Sequence, residues 1–491
     1  MKKIIAVIFV LIPAEFCHGA ISFPTVWEFR VEATAGNVNG CGFNPANAQV
    51  GTDYSQQDGA QLTITDLEID AVDSSLVSSV GTPFVDGTHE GNILHITAGT
   101  GFTAGWYEVV NVSVAGVATL DRSAGTVGST GGTARLGGAC SLNSTLDDDV
   151  FEALVPSNTV WVKSGNYSFG EGLSIAAVGN QTHPISIIGY ISARNDTVAQ
   201  GSMPVFNPGA NNLSLISATD FKFRNLEMIG SGTTLFSFGT RGIVENCKVT
   251  NTSNVGQRVA ITPSAQGRII ASDISSSTGI AISFGAATNI IFHGNYIHHS
   301  SHGISMNGSD QTHFSFNLFS FMGSSCVILG QTAVGSDNNT FFYNTFFGSE
   351  TPKGVALSNK GIPGNGNTFF GNIFYGFETA FDLKHEMNTN VYDYNNYFNN
   401  TLDRSTSVAT GLHDISLDPQ FADWANSDFK IGTNLRAQGI PGPFGVTSST
   451  GALDIGAVQR IEPAATPASS GGVSSGGTIL RKAVIQDGVF R

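Results

Sequence analysis

The run Asp382-Leu383-Lys384-His385-Glu386 is the densest cluster of ionisable side chains in a sequence of which only 12% is charged. Such residues can perform elimination on a uronic acid: a cation neutralises the substrate carboxylate while Lys or His takes the adjacent proton. Asp382, Lys384 and His385 are the candidate catalytic residues. The competing reading is a solvated strand end on which Asp382 and Lys384 pair across one face. A second cluster comprises His293, His298, His299 and His302, four of the eleven histidines. It could bind a metal or move protons. Strand alternation sends His298 and His299 to opposite faces, and no carboxylate accompanies them in the same stretch, so surface and turn histidines are the favoured reading. No zinc spacing, phosphate loop or Ser-His-Asp context is present, and no metal site is expected.

An internal repeat must position these residues. A polar residue, nearly always Asn, recurs between two apolar clusters at Asn225, Asn246, Asp273, Asn295, Asn317, Asn344, Asn372 and Asn396, with successive gaps of 21 to 28 residues. An apolar residue sits three positions before it, and another two positions after it in the later repeats, including Phe319, Phe346, Phe374 and Phe398. A third short apolar strand follows, as in Ile280-Ala281-Ile282 and Phe381-Asp382-Leu383. Three short strands and three turns per repeat form one coil of a parallel β-helix. Stacking coils satisfies the strand edges and piles like side chains on like. The expected ladder is Asn225, Asn246, Asn295, Asn317, Asn344, Asn372 and Asn396, with amides bonded inside the core, and the four phenylalanines form a second ladder. Asn suits a buried bend because it tolerates unusual dihedrals and offers both donor and acceptor.

These Asn-x-Ile/Phe coils resemble the pectate-lyase-like superfamily of right-handed parallel β-helices. The stretch Val160 to Tyr167 resembles an opening strand and turn, and Asp418-Pro419-Gln420-Phe421 and Leu453 to Val458 resemble a closing segment. The resemblance implies an all-β, right-handed parallel β-helix of three sheets and about 8–11 coils. It also implies a substrate groove along the third strand of each coil, lined by Ser305, Asn307, Ser358, Lys360 and Glu386 beside the catalytic candidates. The superfamily hosts lyases, hydrolases, epimerases, tailspikes and non-catalytic surface proteins, so fold alone does not give function. No cofactor is required, with calcium entering only under the lyase reading. Polygalacturonase-like hydrolases carry several aspartates on this sheet, and Ser301-His302-Gly303 is only a faint echo of their His-containing turn.

The remaining chain frames this body. Lys2 and Lys3 precede the apolar run Ile4 to Ala14, the form of a signal peptide over residues 1–20. The run is too short to span a membrane. Residues 21–56 read as a cap strand and loop, 57–139 as an inserted antiparallel β module, 140–425 as the β-helix and 426–460 as a closing segment. Residues 461–477 read as a Pro/Ser/Gly linker and 478–491 as a tail. Cys41 and Cys140 bracket the module and are expected to pair across its base, the alternative being two free thiols in turns. A net charge of −15 without a basic run argues against nucleic acid as a partner.

Three functions compete. The first is a secreted, cell-surface or periplasmic non-catalytic protein that binds a polysaccharide or cell-surface glycan or builds an extracellular structure. The second is a polysaccharide lyase or glycoside hydrolase on acidic polysaccharide. The third is a trimeric tailspike-like fibre subunit, which requires a homo-oligomer. The bland outward residues and the terminal linker favour the first.

Overall fold

The computed structural model describes residues 21, 24–31, 41–47, 52–56, 62–81, 84–140, 148–168, 172–174, 178–215, 219–256, 258–330, 335–351, 353–359, 364–383, 389–405, 408–439 and 453–459. The signal peptide, linker and tail expected from the sequence lie outside these residues, as do Lys360, Lys384, His385 and Glu386.

Short strands separated by turns repeat along the chain and stack in parallel, giving a solenoid of about 9 turns. Each turn contributes one strand to each of three sheets, with 12, 10 and 10 strands. The first sheet begins on Gly42–Phe43, antiparallel to Val26–Phe29, which in turn pairs in parallel with Thr159–Lys163. The N-terminal strand therefore covers an edge that would otherwise be open. The helix Asp148–Ala153 buries Val150 and Phe151 in the same core as Trp27 and Phe29.

Strand alternation fills the interior with one side chain per coil from each three-residue strand of the first two sheets and with two from several strands of the third, such as Ile304 and Met306. On the first sheet Phe292, Phe314, Phe341, Phe369 and Tyr392 are in register. Their successive rings stack with centroids 4.5–5.1 Å apart. On the second sheet the file is Phe319, Phe346, Phe374 and Tyr397. Phe398 is not its last member: it pairs with Tyr375 on the outer face.

The bend between the first and second sheets is a tight turn. Its first residue adopts positive φ, at Asn225, Asn246, Ala271, Gly294, Phe316, Tyr343, Gly371 and Tyr394. The following residue points inward. In the later coils this residue is Asn295, Asn317, Asn344, Asn372 and Asn395, all fully buried. Each donates from its backbone N–H and its Nδ2 to the Oδ1 of the next, at 2.9–3.1 Å. Each Nδ2 also donates to a carbonyl of the preceding coil, as Asn317 does to Phe292 at 3.0 Å. Such bonds hold bulky residues like Phe316 and Tyr343 in a conformation that side chains with a Cβ resist.

Three residues named for this stack from the sequence lie beside it. Asn225 and Asn246 occupy the positive-φ position one residue earlier, where Asn246 Nδ2 donates to Asn225 Oδ1 at 2.7 Å. Leu226, Cys247 and Ser272 hold the inward position in those coils. Asn396 lies one residue late, on the second sheet, and bonds both the N–H and the carbonyl of Leu417. A second amide file at the corner before the first sheet, Asn339, Asn367 and Asn390, was not read from the sequence.

The inserted module is a closed antiparallel barrel of six strands between Leu62 and Leu136. Its own core includes Ile64, Leu67, Tyr107 and Leu136. Cys41 and Cys140 are disulfide-bonded, with Cα atoms 5.3 Å apart. Trp106 of the barrel packs edge-on against Trp27 at 5.1 Å. Glu28, fully buried, ties the cap to a later coil through Arg194 at 2.7 Å and through the Tyr190 hydroxyl.

Candidate functional site

Each sheet has an outer face, and the three faces differ. The second is largely closed by the C-terminal segment. Phe421, Trp424 and Phe429 surround Phe347 at centroid distances of 5.2–6.0 Å, and Ile431, Leu435 and Ile455 bury Ile373.

The third sheet carries the residues expected from the sequence. Ser283, Ser305, Ile328, Ser358 and Asp382 form one row in register along the axis. Ser305, Ile328 and Ser358 are buried, and Asp382 is half-buried. The Ser358 hydroxyl has no hydrogen-bond partner among the described residues. Asn307 lies just past the strand end, where its N–H donates to the Phe284 carbonyl at 3.2 Å. The partners that would make Asp382 a catalytic set, Lys384 and His385, are among the residues not described. Calcium prefers several carboxylate and carbonyl oxygens, whereas this row offers hydroxyls and a single carboxylate. Among the described residues no group of three His, Cys, Asp or Glu side chains is placed to hold a metal.

The histidine cluster is arranged differently from the expectation. His299 has φ 47°, so the chain turns there instead of alternating, and the two imidazoles meet. His298 Nδ1 lies 2.7 Å from His299 Nδ1, and His298 Nε2 lies 2.7 Å from Asp273 Oδ1 of the previous coil. His298 Nε2 can donate to Asp273 Oδ1, and the contact between the Nδ1 atoms needs one of the two rings to donate. Burial, with His298 adding to it, pushes the His299 imidazole below the ordinary histidine range. His293 and His302 bond elsewhere, to Ser315 at 2.9 Å and Ser325 at 2.7 Å.

The first sheet carries a feature that sequence reasoning missed. A groove of about 520 Å³ runs beside it, lined by Gln181, Asp220, Arg241, Ile243, Gln266, Arg268, Asn289, Ile291 and His313, among others. Arg241 Nε and Nη2 donate to the two oxygens of Asp220, each at 2.7 Å. Those bonds hold the Asp220 carboxyl below the usual carboxylate range. Arg268 is exposed, and its guanidinium has no charged partner among the described residues. The lining combines amides (Gln181, Gln266 and Asn289) with isoleucines (Ile243 and Ile291), a mixture suited to sugar hydroxyls and C–H faces. A signal was present in the sequence: Ile243, Arg268, Ile291 and His313 each precede an inward residue by one.

Against known proteins, neither protein-family models nor curated sequences match this chain. Solved structures do. Pectate lyase Pel9A aligns at 13% identity over 66% of this chain and 92% of its own, with a TM-score of 0.47. A mannuronic acid specific polysaccharide family 6 lyase from human gut microbiota aligns at 14% identity over 53% of this chain and 74% of its own, TM-score 0.32. The Dettilon tailspike protein aligns at 12% identity over 50% of this chain and 56% of its own, TM-score 0.28. The chain is a parallel β-helix by its own sheet topology. At these identities the likeness concerns the β-helix and not its chemistry. No described helix of this β-helix protein is long and apolar enough to cross a membrane.

Proposed function

We propose that this β-helix is a secreted or surface-exposed protein that binds an acidic glycan in the groove over its first sheet. The observation that carries the reading is Arg268: an exposed guanidinium without a charged partner among the described residues, set between amides and isoleucines. In a chain of net charge −15, an uncompensated cation in a groove selects for anions locally while the remaining surface repels them. A planar guanidinium matches a carboxylate or sulfate bidentately. Binding without turnover fits the groove's own composition, because its carboxylate, Asp220, is already committed to Arg241.

A catalytic reading is favoured by one observation, the contact chain Asp273–His298–His299, which joins a carboxylate to two imidazoles. A glycan array probed with the purified mature chain, followed by a product assay on every bound sugar, separates the two. Retention of acidic glycans with no new reducing ends and no ultraviolet-absorbing unsaturated uronate is the expected result. Turnover would move the protein to the lyase or hydrolase class, and absence of acidic glycans among the bound sugars would remove the proposal.

A further inference from the structure

The outer row of the first sheet that feeds the groove has a period of two. Lys222, Ile243, Arg268, Ile291 and His313 are in register on successive coils. Basic and imidazole side chains thus alternate with isoleucines. Neighbouring strands lie about 4.8 Å apart, so like positions recur every ~9.6 Å along the axis. Beyond His313 the row continues as Thr340, Thr368 and Val391, without charge.

The charges around this row are accounted for one by one. Lys222 is paired with Glu245 at 2.8 Å, and Arg224 approaches the same carboxylate at 3.9 Å. Arg241 is held by Asp220. His313 Nδ1 lies 2.6 Å from Thr340 Oγ1, which leaves its Nε2 edge for a ligand. Arg268 and His313, two rungs apart with Ile291 between them, are therefore the groups of the row free to meet anions.

We infer that the groove reads a linear glycan lying along the solenoid axis, whose anionic groups recur on one side at every second sugar. This rests on the acidic-glycan reading above and adds the spacing of its charges. A carboxylate placed over Ile243 or Ile291 would lose water without gaining a donor, which is costly. The C–H face of a sugar placed there loses nothing and buries apolar surface. A ligand running across the strands would meet only one of the two groups, because Arg268 and His313 lie in one file parallel to the axis.

The test moves the cation without changing the charge. In the double variant Arg268→Ile/Ile291→Arg the guanidinium shifts by one rung and sits beside His313. The probe is a hyaluronan hexasaccharide, in which carboxylates occupy alternate sugars, with a neutral cello-hexaose as control, measured by calorimetry after thermal melting shows each variant folded. The wild type should bind the acidic probe at least about tenfold more tightly than the neutral one, and the double variant should lose about that tenfold. His313→Lys keeps the two-rung spacing and should bind at least as well as the wild type. Equal binding by the double variant and the wild type would overturn the spacing and leave the acidic-glycan reading standing. A wild type that binds neither this probe nor other acidic hexasaccharides would overturn both.

Discussion

Asn395 donates from its backbone N–H and its Nδ2 to a single oxygen, Asp414 Oδ1, at 2.9 and 3.3 Å. The amide file that runs down the interior thereby ends on an acceptor with nothing left to donate. Asp414 also receives Arg404 at 3.2 Å, and the Arg404 guanidinium lies 4.5 Å above the Tyr397 ring. The end of the file is closed by Asn395, Asp414 and Arg404, which satisfy one another, while the buried Tyr397 hydroxyl beside them has no hydrogen-bond partner among the described residues.

Removing a central member of the file should be expensive. Asn344→Ala would leave the Asn317 N–H without its acceptor and the Phe314 carbonyl without its Nδ2 donor, while Asn317 Nδ2 keeps its bond to the Phe292 carbonyl and Asn372 Oδ1 keeps the residue-344 N–H. Each unsatisfied buried group costs about 1–3 kcal/mol, so a loss of at least ~2 kcal/mol in denaturant unfolding is expected. Asn246→Ala, at the half-buried positive-φ position, should cost only ~1 kcal/mol.

The register of the final coil can be read from a pair of truncations. Tyr397 is buried and stacks on Phe374 at 5.3 Å, so Tyr397→Ala should cost about 3–5 kcal/mol. Phe398 is half-buried on the outer face, and Phe398→Ala should cost well under half of that. The same unfolding titration checks both.

Acid should weaken the groove wall through Asp220. Its folded-state pKa is depressed by the Arg241 hydrogen bonds. The associated stability is present above the unfolded carboxylate value of about 3.9 and is lost as pH falls through the lower folded value. Asp220→Asn should flatten the melting temperature over that acidic window, as seen by thermal melts at stepped pH.

His299 gives a spectroscopic prediction. Burial and His298 depress its pKa while Asp273 raises it, so its ring resonances should titrate below those of an exposed histidine. Asp273→Asn should move that midpoint lower still. Because the folded value is depressed, its stability contribution holds above the ordinary histidine pKa and fades as pH falls through the folded one.

Reduction of the Cys41–Cys140 bond, which spans 99 residues, removes a constraint on the unfolded chain. It should lower stability by about 2–5 kcal/mol, measured as a shift in denaturant midpoint with and without reductant.

Much of the fold was legible because the repeat is written in residue types that only a stacked interior explains. Phe319, Phe346 and Phe374 recur at a fixed offset from Asn317, Asn344 and Asn372, and each offset corresponds to one strand step. The register slips where the sequence is degenerate. Asn395-Asn396-Tyr397-Phe398 offers two asparagines, each with an aromatic residue two positions on, and only the position of the turn decides between them. Asn225 and Asn246 misled for a related reason, since Asn suits positive φ as well as an inward amide. The groove was hidden because its residues come from separate coils. Arg268 and His313 are 45 positions apart in the sequence and become neighbours in a file only once the coils are stacked. The Asp273–His298 contact was missed because it joins successive coils, and the His298–His299 contact because a turn residue breaks strand alternation.

The central claim is that Arg268 binds an anionic sugar. Its most direct test is the affinity of an acidic oligosaccharide for the wild type and for Arg268→Gln, titrated side by side at one ionic strength. A charge-assisted contact of about 1.5–3 kcal/mol predicts roughly ten- to hundredfold weaker binding by the variant. Identical isotherms would contradict the account.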